Sequence, residues 1–154
     1  MLASSHLPQN LIVYADDDID DRFLFEDVLK DLPVSFTLTM VNNGQQLIEL
    51  LNQADCQLPA ALFLDMNMPR MNGLECLLAI KTSSRLKALP VIMLTTSLST
   101  PMIKELHDHG ADYYIQKPSS AVILTQMIGL ALSLISEAGS SQPRLSEFIL
   151  KPKV

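Results

Sequence analysis

Tryptophan is missing from the 154-residue chain, cysteine occurs only twice, and Lys plus Arg total 11 against 17 acids. Each shortage excludes something. A formal charge of −6 leaves no basic cluster to neutralise a phosphate backbone, so nucleic acid is not expected as a partner. Cys56 and Cys76 have neither CxxC spacing nor a paired histidine, which points to two reduced thiols in a cytoplasmic protein rather than to a disulfide or metal site. Residues 1–10 lack the basic start and apolar core of a signal peptide. The segment Ser119 to Ser136 has no charge in 18 positions, close to the length of a membrane span, but its Ser, Thr, Gln and Gly content argues against insertion. Internal repeats and low-complexity blocks are also lacking.

What is present is an alternation. Leu11 to Ala15 is a short apolar, β-branched run that stops on Asp16-Asp17-Asp18, as a buried central strand would. From Ile19 to Asp31 the period becomes helical, with Phe25, Val28, Leu29 and Leu32 on one side and acids in the first turn. Phe36 to Val41 reads as a second strand, and Gln45 to Gln53 as a second helix after an Asn-Asn-Gly turn. Ala60 to Leu64 is a third strand ending on Asp65. It is followed by a turn-rich loop through Gly73 and a helix over 74–84. Val91 to Leu94 stops on Thr95. Thr100-Pro101 is expected to cap a helix running to His109, with Gly110 terminating it. Asp112 to Gln116 ends on Lys117-Pro118, and the uncharged segment becomes the fifth helix.

Five strand-helix pairs predict an α/β fold, a doubly wound five-stranded parallel sheet of flavodoxin-like order 2-1-3-4-5. The expected organisation is an N-terminal tail over 1–9, one domain over 10–136, and a C-terminal tail over 137–154 with no output domain. In that order the strand tips carrying Asp16, Asp17, Asp65, Thr95 and Lys117 converge on one edge. Carboxylates about 4.8 Å apart repel by about 3 kcal/mol per pair at an effective dielectric near 20. Lys117 offsets one charge, and a hard divalent cation such as Mg²⁺ suits the remaining oxygen ligands. A carboxylate beside Mg²⁺, a lysine and a hydroxyl is the arrangement wanted for attack on phosphorus, with Asp65 as the nucleophile.

At Asp16-Asp17, Asp65 with Met68-Pro69 and Gly73, Thr95, Tyr114 and Lys117-Pro118, the chain resembles the receiver domain of two-component response regulators, in its stand-alone, chemotaxis-regulator-like form. The resemblance covers about residues 10–136. It implies that Asp65 accepts phosphate from a histidine kinase or phosphotransfer protein. It also implies that Asp17, Asp65 and the Asn67 backbone carbonyl bind Mg²⁺, with Asp16 reaching the metal through water. Thr95 would swing toward the phosphoryl group, Tyr114 would follow inward, and the surface of the fourth helix, fifth strand and fifth helix would change for a downstream partner. Asn67 and Ser97 would help set the phosphate lifetime; being small and polar, they predict ready access for water. Thr96 is bulkier than the usual residue there.

Two other functions fit the fold less well. An aspartate-based phosphatase would need a second acid where Asn67 stands, and a flavodoxin-like electron carrier would need a phosphate loop where this chain has three Asp. A relay role, passing phosphate on to a His-containing phosphotransfer protein, is an alternative to signalling by changed partners. Asp18, Asp20 and Asp21 read as helix-start acids, and His6, His107 and His109 as solvated. The fifth helix shows only Thr125, Gln126, Gly129, Ser133 and Ser136 on its outer side. Either a homodimer or the tail residues Leu145, Phe148 and Ile149 are expected to cover it.

Overall fold

The apolar runs that stop on polar residues form the middle of a sheet, because a strand buried on both faces has no place for a polar side chain until it emerges. The computed structural model describes residues 10–53, 57–138 and 141–152. Its elements are β1 (Leu11–Ala15), α1 (Ile19–Lys30), β2 (Thr37–Val41), α2 (Gly44–Leu51), β3 (Ala61–Leu64) and α3 (Gly73–Lys81). They continue with β4 (Val91–Thr95), α4 (Thr100–Asp108), β5 (Tyr113–Gln116), α5 (Ala121–Ala138), α6 (Leu145–Phe148) and β6 (Ile149–Leu150). Sheet order is β2-β1-β3-β4-β5-β6, and every pairing is parallel.

The period-two alternation of the strands divides the core. Val13, Ala15, Leu62, Leu64, Val91 and Met93 face α2, α3 and α4, where Leu47, Leu51, Cys76, Leu77, Ile80 and Leu106 meet them. Ile12, Tyr14, Phe63, Ile92 and Leu94 face α1 and α5, where Phe25, Val28, Leu29, Leu124, Met127, Ile128 and Ala131 close the other side. The long apolar helix α5 has the length and hydropathy of a membrane span, yet these buried residues seat it on the sheet beside α1.

The helix starts follow local chemistry. Asp18 caps α1 by accepting from the Asp20 and Asp21 amides at 2.9 and 3.1 Å, and Asn72 forms a reciprocal capping box with Glu75 at α3. At α4 the cap is Ser99, which accepts from Met102 N at 3.3 Å, so Thr100 lies inside the helix rather than before it. Gly110 ends that segment at φ +101°, a left-handed conformation that suits glycine.

The chain's last described segment departs from the expected five strands. β6 adds a sixth, with Ile149 opposite Tyr114 and Leu150 opposite Ile115. Phe148 is fully buried with Leu106, Ala111 and Tyr114, and its ring meets that of His107 edge-on at 5.2 Å. Backbone pairing directs this outcome: β5 would otherwise be an edge strand with open N–H and C=O groups, and the tail satisfies them. The expectation that Leu145, Phe148 and Ile149 pack on the outer side of α5 is therefore corrected. Leu145 is exposed, Phe148 sits under α4, and only Leu150 joins the α5 side of the core. His107, expected to be solvated, is half-buried, with Nε2 2.8 Å from the Pro143 carbonyl. Cys76 is a buried free thiol, whereas Cys56 and His6 lie outside the described residues.

Candidate functional site

Parallel register brings the strand tips level. Ala15 pairs with Leu64 and Leu64 with Met93, so Asp16 follows beside Asp65, and Thr95 ends β4 one residue further along. The tips are tied by backbone bonds: Asp65 N donates to Ala15 O at 3.0 Å and Lys117 N to Thr95 O at 2.7 Å. Gly73 lets the start of α3 lie against this edge. Its N–H donates to Met66 O at 2.8 Å, and a Cβ there would stand 2.4 Å from the Asp65 carbonyl oxygen.

Asp16 and Thr95 are fully buried and Asp65 is 4 % exposed. Asp16, Asp17 and Asp65 each offer a carboxylate oxygen within 4.8 Å of the others, with Asp17 alone on the solvent side. An oxygen-only set with one open flank fits a hard, partly hydrated divalent cation. Asp65 Oδ1 accepts from Met66 N at 2.9 Å, and the same amide lies 3.3 Å from Thr95 Oγ1. Burial pushes the Asp65 carboxyl up to about 6. The Thr95 hydroxyl opposes that shift, the charge of Asp16 adds to it, and Lys117 opposes it.

Lys117 is the one cation that ion-pairs with the carboxylates of this cluster among the described residues. Its Nζ lies 2.7 Å from Asp16 Oδ2, 2.8 Å from Asp21 Oδ2 and 3.6 Å from Asp65 Oδ1. Burial would lower its proton affinity, but the bonds to Asp16 and Asp21 more than offset this, so the ammonium is held charged.

Asp16 is also gripped from below. Tyr14, two residues earlier on the same side of β1, donates its hydroxyl to Asp16 Oδ2 at 2.5 Å, and Asp18 N donates to Oδ1 at 2.9 Å. Burial raises the Tyr14 pKa, with the Asp16 charge adding to the shift, so the phenol stays a donor. Its ring stacks on Phe25 at 4.2 Å. From α1, Arg22 Nη1 donates to the Asp16 backbone carbonyl at 2.8 Å.

The sequence-predicted residues Asp16, Asp17, Asp65, Thr95 and Lys117 thus converge. Tyr114 is buried outside this cluster, its hydroxyl donating to the Thr96 carbonyl at 3.0 Å. Asn67 and Ser97 are exposed on the loops after β3 and β4. Tyr14, Arg22 and the pairing of Asp21 were not anticipated. The one signal available for Tyr14 was its i, i+2 spacing from Asp16; nothing local linked Asp21 to a lysine 96 positions away.

Residues 12–129 match the family model of the response regulator receiver domain. The chain belongs to that family. It is a receiver domain of a response regulator in two-component signalling, a class of signalling domains rather than of classical enzymes. Chemotaxis protein CheY of Pseudomonas aeruginosa is 32 % identical over 118 residues, covering 76 % of this chain and 91 % of that protein. Response regulator Rcp1 of Synechocystis is 27 % identical, covering 79 % and 85 % of the two chains. The sensor histidine kinase CheAY of Helicobacter pylori is 30 % identical over 85 % of this chain, which spans only 16 % of that kinase. Among solved structures, the phosphorylated cyanobacterial phytochrome response regulator RcpA superposes with a TM-score of 0.75 at 26 % identity, covering 87 % of this chain and 98 % of that one. The Mn(2+)-bound form of Rcp1 shares the fold, with a TM-score of 0.71 at 24 % identity and coverage of 87 % and 99 %.

Proposed function

We propose that this receiver domain takes a phosphoryl group onto Asp65 from a histidine kinase or phosphotransfer protein and signals by changing its protein partners. The observation that carries this reading is the setting of Asp65. It is a buried carboxylate at a strand tip, in one oxygen cluster with Asp16 and Asp17, and 3.6 Å from the only facing ammonium among the described residues.

In the reaction, an Asp65 carboxylate oxygen attacks phosphorus in line with the donor. The new P–O bond forms as the donor's P–N bond breaks, and the electron pair stays on the departing imidazole nitrogen, which takes up a proton from solvent. Asp65 must be ionised to attack, and burial raises the cost of that charge, which a bound cation would offset. Asp17, Asp65 and the Asn67 backbone carbonyl would hold Mg²⁺, with Asp16 reaching it through water. Bound there, Mg²⁺ would draw off charge from the phosphoryl oxygens and the carboxylates together. Lys117 and the Thr95 hydroxyl would each meet one phosphoryl oxygen. The Mn(2+)-bound and phosphorylated states named for Rcp1 and RcpA support both parts of this reading.

Tyr114 already packs inward, so its part in the switch would run through the Thr96 carbonyl that it bonds. Output would be read on the face of α4, β5 and α5, where the chain's own β6 already lies along the edge of β5, so that a partner would meet the tail there as well. Asn67 and Ser97, both exposed, would admit the water that ends the signal. Action in the cytoplasm, the boundaries at 10–136, and a homodimer through the neutral side of α5 belong to the same reading. Sedimentation of the full chain checks the dimer.

Incubation with acetyl phosphate and Mg²⁺, followed by intact mass, tests the central claim. Wild type should gain one phosphoryl group, and Asp65→Asn or omission of Mg²⁺ should abolish the gain. A phosphoryl group retained by Asp65→Asn would reject Asp65 as acceptor.

A further inference from the structure

Lys117 is shared unequally. Its bonds to Asp16 and Asp21, at 2.7 and 2.8 Å, are charge-assisted hydrogen bonds, while Asp65 Oδ1 at 3.6 Å lies beyond hydrogen-bond distance. The ammonium therefore leans toward α1 and away from the reactive carboxylate. Asp16 has little freedom to yield, being fully buried with Oδ2 also taken by Tyr14 and Oδ1 by Asp18 N. Asp21 differs from it. Its side chain is 35 % exposed, it stands outside the Asp16, Asp17 and Asp65 oxygen cluster, and its helix is already capped by Asp18. Asp20 occupies the same first turn and carries the same charge, but is not among the ion-pair partners of Lys117.

We infer that Asp21 is a positioning residue that holds Lys117 back from Asp65 in the resting state, so that an incoming phosphoryl group must win the lysine from it. An ammonium has three N–H donors, and two are committed here. Closing the 3.6 Å separation toward a phosphoryl oxygen draws Nζ off the one partner that solvent can replace, the partly exposed Asp21. This contact would bias the receiver toward its unmodified form. The inference rests on Asp65 being the phospho-acceptor.

Full-length wild type, Asp21→Asn, Asp21→Ser and Asp20→Asn separate it from a plain helix-start role. Two quantities are measured at saturating Mg²⁺: the affinity for beryllofluoride, a stable phosphoryl mimic, followed by ¹⁹F NMR, and the rate of phosphoryl gain from acetyl phosphate. Freeing Lys117 from a partly exposed ion pair should tighten beryllofluoride binding about three- to tenfold in both Asp21 variants. The rate should rise alongside, whereas Asp20→Asn, which removes an equal charge from the same turn, stays near wild type. Asp21 variants that match Asp20→Asn, or that bind beryllofluoride more weakly than wild type, overturn the inference. Failure of wild type itself to bind beryllofluoride or gain a phosphoryl group would instead strike the reading of Asp65. Thermal melts confirm folding, and the serine variant carries the comparison should asparagine disturb the turn.

Discussion

Asp65 combines two properties that pull against each other: it must be ionised to react, and its surroundings resist the charge. With the folded carboxyl pushed up to about 6 from an ordinary value near 3.8, the folded state binds more protons than the unfolded chain across that interval. Stability should therefore fall as pH rises through it. In metal-free protein, Asp65→Asn is expected to be more stable than wild type by about 1–3 kcal/mol at pH 8, with the gap closing toward pH 4. Urea melts in a chelator across that range check the sign, and Mg²⁺, which binds the ionised form, should flatten the slope. Tyr14 presents the opposite case. Removing its hydroxyl leaves buried Asp16 short of a donor, so Tyr14→Phe should cost about 1–2 kcal/mol while the Phe25 stack persists. Denaturant midpoints report it. The acids, Thr95 and Lys117 were legible because each ends an apolar run, where polarity cannot be explained by the core. Tyr14 was not, since a tyrosine within a buried strand reads as packing until its hydroxyl is seen to have a partner. Asp21 was hidden for another reason: its role depends on which residue the fold brings opposite, and local charge explains its presence equally well.

Among the elements, the five strand-helix pairs could be read in advance, because strand length, helical period and terminal polarity all agreed. α6 and β6 could not. Their 4 and 2 residues are too short to show a period, and what makes them regular is the open edge of β5 and the space beneath α4. Phe148 anchors both. Its truncation in Phe148→Ala should cost about 3–4 kcal/mol, read from urea unfolding, as expected for a fully buried aromatic ring. At the strand tips, Gly73→Ala should cost about 2 kcal/mol or more, since the added methyl meets backbone at the Asp65 carbonyl rather than a side chain that can yield. Circular dichroism melts would show it, with phosphoryl acceptance falling alongside as the Asp65 tip is displaced.

For the molecule as a whole, charge and metal are linked. The chain carries a net −6 and gathers Asp16, Asp17 and Asp65 at one edge of the sheet, and any cation bound only by the folded state adds RT ln(1 + [L]/Kd) to stability, about 2.7 kcal/mol at a hundredfold excess over Kd. Mg²⁺ should thus raise the wild-type melting temperature, and Asp17→Asn should blunt that rise with little change in metal-free stability, since Asp17 lies on the solvent side of the cluster. The ladder rung between Tyr114 and Ile149 has a practical corollary. Because the chain has no native indole, Phe148→Trp would install a single emitter one residue from that rung. Its colour should change if Tyr114 moves when Asp65 is modified, turning the end of the polypeptide into a built-in optical gauge of the site.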